Sequence, residues 1–68
     1  MKALQGLVAR RKAAGASQTQ IAELMGLYQP NVSRIESLLE TGGNLTTHTV
    51  QRYVDAIEAV EAAAGGAA

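Results

Sequence analysis

The chain contains no cysteine and a single histidine among its 68 residues. Without cysteine no disulfide can form, and one histidine with no cysteine beside it does not supply the ligand set of a zinc site. We therefore expect no metal and no other cofactor in this protein. The lack of cysteine also fits a reducing compartment, and we expect a cytoplasmic location.

Long hydrophobic runs are missing as well. The longest apolar run is far shorter than the roughly 20 residues that span a bilayer. Residues 1–15 carry basic side chains within and directly after their apolar positions, which is not the pattern of a secretory signal. The sequence therefore predicts neither a membrane segment nor export.

Patterns of catalytic residues are absent too. The serines at 17, 33 and 37 have no nearby base, and the chain has no glycine-rich phosphate loop. Asp55 lies two helical turns from His48, too far to orient that imidazole on one helix. We therefore expect His48 at the surface near a helix start, and a binding protein rather than an enzyme.

Length and periodicity limit the fold. A chain of 68 residues buries a modest core and is marginally stable alone, so oligomerisation is a common route to more buried surface. Apolar residues recur at helical spacing, and neither strands nor repeats are evident. The sequence predicts an all-α fold, a compact bundle of four to five short helices, with one domain over residues 1–63 and a flexible tail at 64–68.

The formal net charge is zero, but the charges are unevenly distributed. Residues 1–36 hold five basic residues against two acidic ones, and residues 37–68 hold one basic residue against four acidic ones. Such a chain can present a basic face while remaining neutral as a whole. Arg10 and Lys12 are expected to point outward, where they either meet phosphate or are solvated.

Residues 15–36 carry the clearest local signals. Ser17 followed by Gln20 matches a capping box and predicts a helix start, and Gly26 is suited to end that helix. Leu27 is expected to pack between this helix and the next. Three apolar residues define the buried face of this helix between Ser17 and Gly26: Ile21, Ala22 and Met25.

A second helix is predicted to begin near Tyr28 or Gln29, with Pro30 in its first turn, where proline is tolerated. Its apolar side comprises Val32, Ile35 and Leu39. Its polar side comprises Gln29, Pro30, Ser33, Arg34 and Ser37. A polar side of this kind suits the major groove of DNA, because glutamine can pair with adenine and arginine with guanine.

The segments before and after residues 15–36 are predicted to form two further helices. Residues 2–14 have an apolar stripe at Leu4, Leu7 and Val8. The last helix is expected to begin at Thr46 or Thr47, and its predicted buried face comprises Val50, Tyr53, Val54, Ile57 and Val60. Glu58 and Glu61 are expected to face solvent. Small side chains are expected to form a surface against which a second copy of the chain can pack: Ala56, Ala59, Ala62 and Ala63.

Residues 37–46 allow two interpretations. In the first, the second helix ends near Ser37 and a long connection follows. In the second, Leu38 and Leu39 extend that helix by a turn, and residues 41–44 then break it. Leu45 is expected to return to the core.

The central segment resembles the helix-turn-helix of the lambda repressor and Cro class, also called the XRE class. The matching residues fall in register without a gap: Gly15, Ser17, Gln18, Ile21, Ala22, Gly26, Leu27, Gln29, Pro30, Val32, Ser33, Arg34, Ile35 and Glu36. The resemblance implies that the helix from Gln29 is a recognition helix. It also implies that Gln18 binds a phosphate and braces Gln29, and that Arg11 forms a structural salt bridge with Glu36.

Two departures from the family pattern concern possible backbone contacts. Tyr28 stands where the family usually has a small serine or threonine. The connection after Ser37 is longer than usual. The candidates for base contacts are Gln29, Asn31, Ser33 and Arg34, with Asn31 alternatively on a phosphate. The candidates for DNA backbone contacts are Ser17, Gln18, Tyr28, Pro30, Ser37 and Asn44.

Two functions follow from these expectations. The first is a small Cro-like transcriptional repressor that binds double-stranded DNA at a palindromic operator as a homodimer, with the last helix as a candidate interface. The second is a protein-binding module of the antitoxin or adapter type, which neutralises a partner protein and, as an antitoxin, also regulates its own operon.

Overall fold

The structure is a computed structural model that describes residues 2–65 and the side chains of residues 6–64. Its four helices are α1 (Lys2–Ala13), α2 (Gln18–Met25), α3 (Gln29–Thr41) and α4 (Thr47–Gly65). No strand occurs between residues 2 and 65. The all-α prediction is therefore confirmed. None of the helices described is long and apolar enough to cross a membrane.

Both ends of α2 and the start of α3 lie where local chemistry predicts. The Ser17 hydroxyl accepts a hydrogen bond from the Gln20 backbone N–H at 3.1 Å, which satisfies one free donor of the first turn. Gly26 has a φ of 70°, a left-handed conformation that ends α2, and Leu27 N–H then bonds to the Ala22 carbonyl at 2.8 Å. Only two residues, at 27 and 28, separate this cap from α3.

The structure decides between the two interpretations of residues 37–46. Helix α3 continues through Thr41, and Gly42 ends it with a φ of 76°. A Cβ on Gly43 would lie 2.5 Å from Leu38 Cδ2, so a larger residue there would require the end of the Leu38 side chain to move. The loop is therefore residues 42–46, shorter than the sequence suggested. At its end, the Thr46 hydroxyl accepts from the Thr49 N–H at 3.1 Å.

The core joins all four helices. Helix α3 packs against α1 and α2, and α4 packs against α1 and α2. Leu7, Leu27, Leu45 and Val50 are partly buried against the core. The buried hydrophobic residues are Val8, Ala16, Ile21, Ala22, Met25, Val32, Ile35, Leu39, Tyr53, Ala56, Ile57 and Val60.

Two expectations about α4 need adjustment. Ala56 is buried, because it lies three residues after Tyr53 and four before Val60 on the same helical stripe. It is therefore not part of an exposed alanine surface, whereas residues 59, 62 and 63 are exposed. The tail expected at residues 64–68 begins inside α4, which runs to Gly65, and residues 66–68 lie outside the described part of the chain.

Candidate functional site

Helix α3 presents a continuous polar surface. Val32, Ile35 and Leu39 are buried, so the residues on the opposite side of the helix must face away from the core. The five side chains predicted for that side are exposed, and so is Asn31 at its flank: the exposed residues are Gln29, Pro30, Asn31, Ser33, Arg34 and Ser37. We call these six residues the polar face of α3. Ser33 and Arg34 are therefore accessible to a ligand.

A buried carboxylate lies on the other side of α3. Glu36 is 3% exposed and Arg11, from α1, is 7% exposed. The Arg11 guanidinium donates from Nε to Glu36 Oε2 and from Nη2 to Oε1, the latter at 3.1 Å. Its Nη1 donates to the Ala16 carbonyl at 2.7 Å. The ion pair implied by the resemblance is present, and it joins α1 to α3.

Tyr53 completes this cluster from α4. Its side chain is fully buried, as expected of a core residue, and its hydroxyl donates to Glu36 Oε2 at 2.6 Å. The sequence pattern predicts Tyr53 in the core but does not predict this hydrogen bond. The signal available was the residue type, since a buried tyrosine needs a partner for its hydroxyl where a phenylalanine does not.

The titration of the cluster follows from its contacts. Burial opposes ionisation of Glu36, but hydrogen bonds from Arg11, Tyr53 and Gln18 outweigh it and lower the pKa of this carboxyl. Burial and the hydrogen bond to Glu36 raise the pKa of the Tyr53 hydroxyl. The native state therefore favours an anionic Glu36 beside a neutral Tyr53.

These shifts predict how stability depends on pH. The contribution of Glu36 is present above its usual pKa of 4.5 and is lost as the pH falls towards its lowered native value. The contribution of Tyr53 is present below its usual pKa of 10.0 and is lost as the pH rises beyond it. We expect the urea concentration at the midpoint of unfolding to be highest between pH 4.5 and pH 10.0. In Tyr53→Phe the alkaline decline due to this hydroxyl should disappear; an unchanged decline would contradict the assignment.

Two glutamines connect the buried carboxylate to the polar face of α3. Gln18 Nε2 donates to Glu36 Oε1 at 2.8 Å. Gln29 Nε2 donates to Gln18 Oε1 at 2.5 Å. Gln18 thus braces Gln29, as the resemblance implies, and the contact brings the first turns of α2 and α3 together.

The candidates for backbone contacts fall into two groups. Ser17, Gln18, Tyr28 and Pro30 lie at the starts of α2 and α3, and Tyr28 is 81% exposed. Ser37 lies eight residues after Gln29, about 12 Å along the helix, and Asn44 is in the loop beyond it. The structure therefore places Ser37 and Asn44 towards the other end of α3.

The basic residues are less available than the charge distribution suggested. Arg10 donates to Glu61 at 2.9 and 2.7 Å and lies 3.7 Å from Glu58. Glu61 is therefore half-buried and paired, although the sequence pattern predicts that it faces solvent. This follows from the packing of α1 against α4, which sequence spacing does not encode. Arg34 is exposed and takes part in no ion pair among residues 6–64.

A shallow groove lies between α2 and α4. Its volume is about 260 Å³, and Leu24 at its edge is 52% exposed. Arg52 donates to the Met25 carbonyl beside it, which ties α4 to the end of α2. No group of histidine and acidic side chains in the described part of the chain is arranged to hold a metal ion. His48 is exposed at the start of α4.

Comparison of the chain with protein-family models, with curated protein sequences and with solved structures finds no match.

Proposed function

We propose that the protein is a sequence-specific, double-stranded DNA-binding transcriptional regulator in which α2 and α3 form a helix-turn-helix. The observation that carries the proposal is the polar face of α3, whose six residues are all exposed and which is joined through Gln18 to the buried Glu36. A helix of this kind fits the major groove of B-DNA. The proposed role is that of a small Cro-like repressor in a bacterial or phage-infected cell.

In the proposed complex, α3 enters the major groove with its N-terminal end first. Gln29, Ser33 and Arg34 contact base edges, and Asn31 contacts a base edge or a phosphate at the flank. Arg34 contributes most, because a guanidinium can donate two parallel hydrogen bonds to the O6 and N7 atoms of guanine. Its exposure and its freedom from ion pairs within residues 6–64 support this role.

Contacts to phosphates set the register of the helix in this proposal. Ser17, Gln18, Tyr28 and Pro30 lie at the two helix starts, where backbone N–H groups and the helix dipole favour an anion. Ser37 and Asn44 reach a phosphate further along the groove. Because Arg10 is paired with Glu61, few cations contribute, and affinity must come from more than one copy of the domain.

A two-fold dimer supplies the second copy. Two recognition helices about 34 Å apart would address successive major grooves on a roughly palindromic operator. Helix α4 is the candidate interface, since its exposed alanines at 59, 62 and 63 allow close approach of another helix.

Selection of binding sites from random duplexes tests the proposal. We expect a palindromic consensus with half-site centres about 10 base pairs apart. The matched control is the Ser33→Ala, Arg34→Ala double variant, which alters only exposed side chains and should fold normally while selecting no such consensus. Failure of the natural chain to enrich any sequence would refute the proposal.

A second candidate is a protein-binding module of the antitoxin or adapter type. The groove between α2 and α4, with its exposed Leu24, favours this alternative because it offers apolar surface to a partner chain. A salt titration separates the two functions. Binding through several phosphates should weaken steeply as salt rises, whereas docking on an apolar groove should not.

A further inference from the structure

Arg52 reaches from α4 to the end of α2. It is the one basic residue in residues 37–68. Its Nη2 donates a hydrogen bond to the backbone carbonyl of Met25, 27 positions earlier in the chain. The contact therefore belongs to the packing of α4 against α2 rather than to either helix alone. The DNA contacts proposed above do not use this residue.

The Met25 carbonyl belongs to a helix end that lacks donors. An α-helix leaves its last four carbonyls without partners from the helix itself. At the end of α2, the Glu23 carbonyl accepts from the Gly26 N–H at 3.2 Å. The Met25 carbonyl accepts from Arg52. Because residues 18–25 contain no basic side chain, α4 supplies the cation that favours the C-terminus of this helix.

The Met25 carbonyl and the Gly26 N–H form one planar peptide unit. Its N–H is held within α2 by the Glu23 carbonyl, and its oxygen is held from α4 by Arg52. Such a unit cannot rotate without breaking a hydrogen bond. The chain leaves α2 at Gly26, with a φ of 70°, and α3 begins three residues later at Gln29. The orientation of this peptide unit therefore helps to set the direction in which the chain enters α3.

The carboxylate nearest to Arg52 along α4 has another partner. Asp55 lies three residues after Arg52, a spacing at which opposite charges on a helix often pair. Its Oδ1 accepts from Gln51 Nε2 at 2.9 Å, within α4. Arg52 and Asp55 both line the groove between α2 and α4, and Arg52 crosses it to the backbone of Met25. The guanidinium is thus directed at α2 although its own helix offers a carboxylate.

We propose that Arg52 is a positioning residue for α3. By holding the Met25 carbonyl from α4, it fixes the turn between α2 and α3, and hence the angle at which the polar face of α3 meets DNA. The consequence for DNA rests on the proposed function. In this role Arg52 acts through the turn and contacts no base itself. A change in the angle is costly, because a contact of two parallel hydrogen bonds, such as that proposed for Arg34, tolerates little misalignment.

A double-mutant cycle of Arg52→Met with Arg34→Ala tests the inference, with binding to the selected operator measured by fluorescence anisotropy. Methionine keeps much of the length of the side chain but removes the donor. We expect Arg52→Met to weaken binding by roughly tenfold when Arg34 is present. The loss should be much smaller when Arg34 is already alanine, since the contact that would be misplaced is then absent. Additive losses, which a loss of stability alone would also give, would overturn the inference.

Direct contact between Arg52 and a phosphate would have a different signature. Loss of a phosphate contact reduces the slope of log affinity against log salt by about one. Loss of a positioning residue should leave that slope unchanged. The matched control is Gln51→Met, which changes the preceding, exposed residue and should bind as the natural chain does. A reduced slope in Arg52→Met, or an equal loss of affinity in Gln51→Met, would overturn the inference.

A measurement on the natural chain without DNA keeps the inference testable even if Arg52→Met does not fold. In NMR spectra, the guanidinium N–H groups of Arg52 should exchange with solvent more slowly than those of Arg34. Arg34 is a suitable reference because it is exposed and takes part in no ion pair among residues 6–64. Equally rapid exchange in the two residues would overturn the inference.

Failure of the inference and failure of the proposed function are distinguishable. If the natural chain binds a selected operator and the losses in the cycle are additive, the inference is wrong and the proposed function stands. If the Arg52 guanidinium exchanges slowly but the natural chain selects no duplex, the proposed function fails and the consequence for DNA fails with it. The hold of α4 on the turn between α2 and α3 would then stand alone.

Discussion

Replacing Arg11 by methionine is expected to lower the free energy of unfolding by about 3–5 kcal/mol, because it leaves the Glu36 carboxylate buried without its cation. The substitution also removes the donor that holds the Ala16 carbonyl, between α1 and α2. A domain of this size is stabilised by on the order of 5 kcal/mol. We therefore expect most Arg11→Met molecules to be unfolded or close to it at 25 °C, measured by circular dichroism with urea titration.

Arg10→Met is the matched control. It makes the same change one residue earlier, where the guanidinium pairs with Glu61 at the surface rather than in the core. Solvent screens such a pair, so the loss of stability should be far smaller. Equal losses in Arg10→Met and Arg11→Met would contradict the view that the buried cluster holds α1 against α3.

Under the proposed function, replacing Arg34 by alanine is expected to weaken binding to the selected operator by about 1–3 kcal/mol per half-site and to abolish the preference for guanine at one position. The side chain is exposed and makes no ion pair among residues 6–64, so the variant should fold as the natural chain does. Fluorescence anisotropy with duplexes carrying each base at that position measures both effects. Urea titration confirms that stability is unchanged.

Arg34→Lys separates charge from geometry. Lysine keeps the attraction to phosphates but loses the planar fork that binds guanine through two hydrogen bonds. We therefore expect Arg34→Lys to bind the selected operator more tightly than Arg34→Ala does, but without the preference for guanine. Lys12→Ala, an exposed cation on α1, should by contrast weaken binding to all sequences alike or leave it unchanged. Should Arg34→Ala retain both full affinity and full preference, the reading surface would have to lie elsewhere than on α3.

Local signals predicted the helices well, for a physical reason. A cap depends on residues within one turn, so Ser17, Gly26 and Pro30 were sufficient to place both ends of α2 and the start of α3. The end of α3 was harder, because nothing local distinguishes a helix that stops at Ser37 from one that continues. The structure shows that it continues to Thr41, with Leu39 packed in the core and Gly42 as its cap.

Contacts between distant residues were predicted only in part. The pairing of Arg11 with Glu36 and of Gln18 with Gln29 came from the resemblance, and both are present. The pairing of Arg10 with Glu61 was not expected, since the two residues are 51 positions apart and belong to helices whose crossing no local pattern specifies.

By itself, the sequence determined an all-α fold of four to five helices, the buried residues of α2 and α3 and the polar face of α3, because these depend on spacing within single helices. The tertiary structure alone decided that Tyr53 and Gln18 both donate hydrogen bonds to Glu36, and that Arg10 forms an ion pair with Glu61 of α4. These contacts depend on how helices cross in space, and crossing is a property of the assembled core rather than of any one segment.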